Sequence, residues 1–96
     1  MCTAISFNSN TNHYFGRTLD FERRFNESIT ITPRNYLLKY CKNESEWNHF
    51  AFIGTAIIID DYPLYYDATN EYGLSIAGLS FLNNCCYYDY VDLQIL

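Results

Sequence analysis

The run Phe50-Ala51-Phe52-Ile53-Gly54-Thr55-Ala56-Ile57-Ile58-Ile59 constrains the fold more than any other stretch of the chain. It is nearly continuous in apolar residues, rich in β-branched side chains and closed by Asp60-Asp61-Tyr62-Pro63, a turn by composition. Such a run predicts a strand covered on both faces. Around it the chain reads as further short strands. Cys2 to Phe7 alternates, with Thr3, Ile5 and Phe7 on one face and Cys2, Ala4 and Ser6 on the other. After the turn-forming Asn8-Ser9-Asn10-Thr11-Asn12, His13 to Asp20 can return antiparallel as a hairpin. Ser28 to Thr32 is a period-two strand ended by Pro33, Tyr36 to Cys41 a short apolar strand, and Lys42 to Asn48 a polar loop. Asn70-Glu71-Tyr72-Gly73 forms another turn, with a strand expected over Leu74 to Phe81.

No stretch has the period of an amphipathic helix, so nothing in these 96 residues covers strands that are apolar on both faces. Beyond Phe81 the pattern decays, and residues 82–96 are expected to be an irregular or truncated tail. The chain is expected to be the N-terminal portion of a single domain, with large exposed apolar patches that promote aggregation.

An apolar fraction of 49% excludes disorder, and six basic against eleven acidic residues argue against nucleic acid as the partner. No apolar run reaches the roughly 18 residues of a membrane span. Cys2, Cys41, Cys85 and Cys86 show no metal-ligand spacing, and a bridge between adjacent Cys85 and Cys86 would close a strained ring. Free thiols in a reducing cytoplasm are expected. His13 and His49 have no partner spacing either, so no metal is expected.

Cys2 follows the initiator Met1, which is readily clipped before a small residue. Clipping leaves a thiol and a free α-amine on one residue. A deprotonated thiol is a nucleophile, and an amine of pKa about 7.7–8.0 can take its proton. If the first two strands pair, Phe15-Gly16-Arg17-Thr18-Leu19-Asp20 brings Arg17 and Asp20 towards Cys2. An arginine there favours thiolate, and a carboxylate can hold the amine. The competing account of Arg17 and Asp20 is a surface ion pair.

Five segments occur in order: Met1-Cys2-Thr3, Phe15-Gly16-Arg17-x-Leu19-Asp20, Ile31-x-Pro33-Arg34-Asn35, Asp60-Asp61-Tyr62-Pro63 and Asn70-Glu71-x-Gly73-Leu74-x-x-Ala77-Gly78-Leu79. Together they resemble the opening of the choloylglycine hydrolase family, which includes bile salt hydrolases and penicillin V acylases. The resemblance covers Met1 to about Phe81. It implies an α+β protein, an N-terminal-nucleophile hydrolase with an αββα sandwich, of which this chain is a mostly antiparallel β part. It implies hydrolysis of a non-peptide amide C–N bond without a cofactor. Cys2 would form a thioester, with Arg17 beside the sulfur, Asp20 positioning the amine and the backbone N–H of Ser80 as an oxyanion donor. Bile salt hydrolases typically carry Asn and penicillin V acylases Tyr where this chain has Ser80.

Leu19, Phe21, Ile59 and Tyr66 flank these motifs and are candidates to line an acyl pocket, with ordinary core packing the competing account. The expected substrate is a conjugated bile salt; penicillin V or another N-acyl amide is the alternative. The resemblance places a further Asn and Arg of the site beyond position 96 and implies homo-oligomers at full length, so the isolated chain is expected to be inactive or nearly so. A non-catalytic β-rich interaction module is the alternative from a different class.

Overall fold

A computed structural model of the chain describes residues 2–20, 23–39 and 45–79. These residues form nine strands and no helix: β1 (Ala4–Asn8), β2 (His13–Arg17), β3 (Ser28–Thr32), β4 (Leu38–Lys39), β5 (Ser45–Glu46), β6 (Phe52–Ile59), β7 (Tyr62–Tyr65), β8 (Asp67–Asn70) and β9 (Ser75–Ala77). Among them, therefore, no helix is long and apolar enough to cross a membrane. The chain divides into two compact units. Among the described residues, one holds the β1–β2 hairpin and Ala77 to Leu79; the other runs from Phe25 to Ile76.

In the second unit β6 is the organising strand, as its apolar run predicts. It pairs antiparallel with β3 along one edge and with β7 and β8 along the other, and β9 follows β8. The β6–β7 connection is a two-residue turn with positive φ at both Asp60 (51°) and Asp61 (61°). That is a type I′ geometry, whose twist matches the flanking strands. Pro63 lies inside β7, opposite Ile58. It is tolerated because, among the described residues, β7 is an edge strand and the missing N–H faces no neighbouring strand.

β7 and β8 are one strand interrupted by a bulge. Ala56 pairs with Tyr65 and Ile53 with Thr69, so Gly54 and Thr55 face residues 66–68, two against three. The Tyr66 N–H donates to the Thr55 carbonyl at 2.8 Å, and the Thr55 N–H donates to the Asp67 carboxylate at 2.9 Å. A side chain thus takes a ladder bond that the extra residue displaces. Gly54 is required opposite it: a Cβ there would lie 1.9 Å from the Asp67 carbonyl oxygen and 2.8 Å from the Ala68 Cα.

The pleat gives this sheet two unlike faces. Phe52, Ala56 and Ala68 are buried on one, joined by Leu38 and the partly buried Tyr65. The ring of Phe52 meets Tyr65 edge-on, with centroids 5.0 Å apart. Thr32, the buried polar residue among them, shares a 2.7 Å hydrogen bond with the Tyr65 hydroxyl, which also donates to the Thr30 carbonyl. Burial raises the Tyr65 phenol above its ordinary pKa, against the opposing effect of the Thr32 bond.

The other face carries Ile29, Ile31, Ile53, Ile59 and Leu64, and it is open. Ile29 and Ile31 are 72% and 66% exposed. The expectation that β6 is covered on both sides therefore holds only at Phe52 and Ala56 on one face, while Ile58 at the end of that face is half exposed. The physical reason is the one anticipated, since no helix among the described residues lies over the isoleucines.

Several sequence expectations shift. Ser45–Glu46, expected within a loop, pairs with Leu38–Lys39. Tyr62–Tyr65 and Asp67–Asn70 are strands where turn composition masked them. The strand expected over Leu74 to Phe81 is seen as Ser75–Ala77, and the tail at 82–96 lies outside the described residues.

Candidate active site

The first unit is built on the β1–β2 hairpin, whose register runs from Asn8 opposite His13 to Ala4 opposite Arg17. At the closed end the Ser9 N–H donates to the Asn12 carbonyl at 2.7 Å, while the Ser9 hydroxyl accepts the Asn12 N–H at 3.0 Å. Phe7 and Tyr14 stack on one face, with centroids 5.0 Å apart. The opposite face is that of Ala4, Ser6, Phe15 and Arg17, and the same alternation assigns Cys2 to it.

At the open end the hairpin continues past its assigned strands. The Thr18 N–H donates to the Thr3 carbonyl at 2.8 Å, as an antiparallel ladder requires. The return bond is different: the Thr3 N–H goes to the Thr18 hydroxyl at 3.0 Å. The Thr18 carbonyl accepts the Arg17 Nε–H at 3.0 Å. The Thr18 hydroxyl in turn donates to Asp20 Oδ2 at 3.4 Å. One residue therefore ties the peptide that follows Cys2 to the carboxylate three positions after Arg17.

Cys2 itself is buried, 6% exposed, and its sulfur is a thiol rather than half of a disulfide. Its nitrogen is a peptide nitrogen while Met1 is attached, and stands in for the α-amine that removal of Met1 would create. The second arm of Arg17 donates to the Gly78 carbonyl at 2.7 Å. That bond joins the Phe15-Gly16-Arg17 motif to Ala77-Gly78-Leu79, immediately before Ser80. A planar guanidinium holds two carbonyls from two nitrogens in directions fixed by its fork, whereas an ammonium offers a single nitrogen with rotatable donors.

The structure thus brings Cys2, Arg17, Leu19 and Asp20 into one compact unit. Leu19 is partly buried and Asp20 exposed. Ser80 and Phe21 lie outside the described residues, as do Cys41, Cys85 and Cys86. Ile59 and Tyr66 belong to the other unit: Ile59 ends β6 opposite Tyr62, half exposed, and Tyr66 sits in the bulge. Among the described residues no three His, Cys, Asp or Glu side chains gather to hold a metal. Sequence reasoning missed Thr18, which stood as the unspecified position between Arg17 and Leu19. The signal available was a hydroxyl residue directly across the hairpin from Thr3.

The family profile of linear amide C–N hydrolases, choloylglycine hydrolase family, matches residues 2–95. The chain belongs to the choloylglycine hydrolase family. Within it, the chain is 51% identical over 90 residues to a bile salt hydrolase/transferase of Lactiplantibacillus plantarum, covering 94% of this chain and 28% of that protein. It is 46% identical over 82 residues to a conjugated bile acid hydrolase of Lactobacillus gasseri, covering 84% and 26%. The fold matches the crystal structure of the C2A mutant of conjugated bile acid hydrolase from Clostridium perfringens, with a TM-score of 0.82 and 33% identity. That match covers 98% of this chain and 29% of the other, so the chain spans less than a third of the length of these family members. The fold expectation is borne out: the β-rich arrangement of these strands is that of the matching part of this hydrolase structure.

Proposed function

We propose that this chain carries the nucleophile of an amide hydrolase whose substrates are conjugated bile salts. The observation that supports this most is the placement of Cys2: buried, one residue from the Thr3–Thr18 linkage, and on the hairpin face that also carries Arg17. The names of the bile salt hydrolases it resembles supply the substrate class.

In the proposed reaction, removal of Met1 exposes the α-amine of Cys2. The amine accepts the thiol proton, and the thiolate attacks the amide carbonyl. The tetrahedral oxyanion collapses to a thioester as the C–N bond breaks, and the α-ammonium returns the proton to the departing amine, taurine or glycine. Water, deprotonated by the same amine, then cleaves the thioester to release the bile acid and restore the thiol. Arg17 keeps the sulfur in a positive field, Asp20 orients the amine, and the Ser80 N–H serves as an oxyanion donor. Leu19 and Phe21, which flank Asp20, are assigned to the wall of the acyl pocket. The protein works in the cytoplasm, where its thiol stays reduced, and the full-length form is a homo-oligomer.

The test combines intact mass, thiol alkylation, and release of taurine or glycine from conjugated bile salts by the protein carrying this sequence, with penicillin V in parallel. Loss of Met1, selective labelling of Cys2 and abolition of turnover by Cys2→Ala are the expected results. Preferential cleavage of penicillin V would move the substrate assignment to that class; Ser80 matches neither subgroup's typical residue. Retained Met1 with equal labelling of all four cysteines would overturn the hydrolase in favour of a non-catalytic β-rich module.

A further inference from the structure

We propose that Thr18 is a positioning residue for the N-terminal nucleophile: its single hydroxyl holds the Cys2–Thr3 peptide and the Asp20 carboxylate in register with each other. The proposal rests on Cys2 being the nucleophile and adds a residue to that site.

The geometry is a chain of three groups. The Thr3 N–H donates to the Thr18 oxygen at 3.0 Å, and the Thr18 hydroxyl donates onward to Asp20 Oδ2 at 3.4 Å. The order of donation is dictated by chemistry, because an N–H can only donate and an ionised carboxylate can only accept. A hydroxyl that accepts at one side is a better donor at the other, so each bond strengthens its neighbour. A backbone carbonyl in the same place could accept from Thr3 but could not pass a hydrogen on to Asp20. The hydroxyl also leaves the Thr18 carbonyl to Arg17, whose other arm holds Gly78. Thr18 is thereby the common point of two attachments, one to the acid and one to the guanidinium.

The functional consequence follows from where the chain of bonds begins. Thr3 is bonded covalently to Cys2, so fixing its N–H restricts the direction in which the Cys2 sulfur and nitrogen point. Fixing Asp20 by the same hydroxyl sets the acid relative to that nitrogen. An amine that must take a proton from its own side chain gains from such orientation, and loosening a reacting group by about 1 Å can cost about a hundredfold in rate.

The test is the rate of Cys2 alkylation by iodoacetamide, followed by peptide mass spectrometry on the chain with Met1 removed, with circular dichroism alongside. Thr18→Val keeps the shape and the β-branch but removes the hydroxyl. It should slow Cys2 labelling about tenfold while leaving the strand spectrum unchanged. Thr18→Ser, which keeps the hydroxyl, should restore the rate. Asp20→Asn should slow labelling too, and Thr18→Val added to it should have little further effect, since both break one chain of bonds. Should Thr18→Val lose the strand spectrum, Thr18→Ala, which also removes the hydroxyl, carries the test in comparison with Thr18→Ser. The proposal is overturned if Thr18→Val labels at the unmodified rate, if serine fails to restore it, or if the two effects multiply. Cys2 labelling no faster than Cys41, Cys85 and Cys86 in the unaltered chain would instead overturn the nucleophile itself, and this proposal with it.

Discussion

The guanidinium of Arg34 grips both carboxylate oxygens of Glu71 across 37 residues of sequence, through Nε at 2.8 Å and through one terminal nitrogen. The same carboxylate accepts the Ala51 N–H at 3.1 Å, while the Glu71 N–H donates to the Ala51 carbonyl at 2.9 Å. Two of the motifs that identify the family, the one at Pro33-Arg34-Asn35 and the one at Asn70-Glu71, are thus one structural feature. The pair fixes the turn after β8 to the segment after β3. The Arg34 bond, reinforced by Ala51, holds the Glu71 carboxyl below its usual range, and the Glu71 bond raises Arg34.

The sign of the pH dependence follows from that direction. An unfolded glutamate titrates near about 4.3, and the folded Glu71 titrates lower. The pair's contribution is therefore complete above the unfolded value and lost as pH falls through the folded one. Glu71→Gln should lower the thermal midpoint at pH 6, with the difference from the unaltered chain narrowing towards pH 3. Circular dichroism melts at the two pH values check this; an unchanging difference would show that ionisation is irrelevant.

Gly54→Ala tests the bulge. The added Cβ meets the Asp67 carbonyl and the Ala68 Cα, both main-chain atoms that cannot rotate away. A cost of about 3 kcal/mol or more is expected, at the upper end of overpacking effects. Urea denaturation reads it, and Gly73→Ala provides a contrast: a Cβ there meets nothing within 4 Å, although its φ of 85° still strains an alanine.

Asp60 and Asp61 occupy left-handed conformations in the β6–β7 turn, where glycine is unstrained. Asp61→Gly should stabilise the chain by about 1 kcal/mol, the ordinary penalty for a side chain at positive φ. The same denaturation assay measures it, and a destabilised variant would contradict the type I′ turn.

Arg17→Lys preserves the charge but leaves one nitrogen in place of the two that bond the Thr18 and Gly78 carbonyls. Faster amide hydrogen exchange over Ala77 to Leu79 is the expected consequence, measured by mass spectrometry. Unchanged exchange there would mean that the guanidinium does not hold that segment.

Periodicity was enough for elements whose character is local. Ser28–Thr32 alternates strictly and forms a strand with those bounds; the Cys2 hairpin is legible from a polar turn between two alternating runs. The family was legible too, because collinear motifs are a property of order along the chain. Tyr62–Tyr65 and Asp67–Asn70 were not, since a proline and turn-forming residues in them signal a break that edge position and a bulge accommodate. Gly54 gives no local sign of its role, which arises from the main chain of Asp67 and Ala68, distant in sequence.

At the proposed site the division is similar. The residue types, a second-position cysteine with an arginine and an aspartate spaced along the returning strand, could be picked out from order and chemistry alone. That a threonine hydroxyl joins the Cys2–Thr3 peptide to Asp20, and that Arg17 reaches Gly78 sixty-one positions on, could not. Those are relations between backbone atoms and side chains that meet only after the strands have paired. Pairing depends on register, and register is summed over the whole sheet rather than written at any one residue.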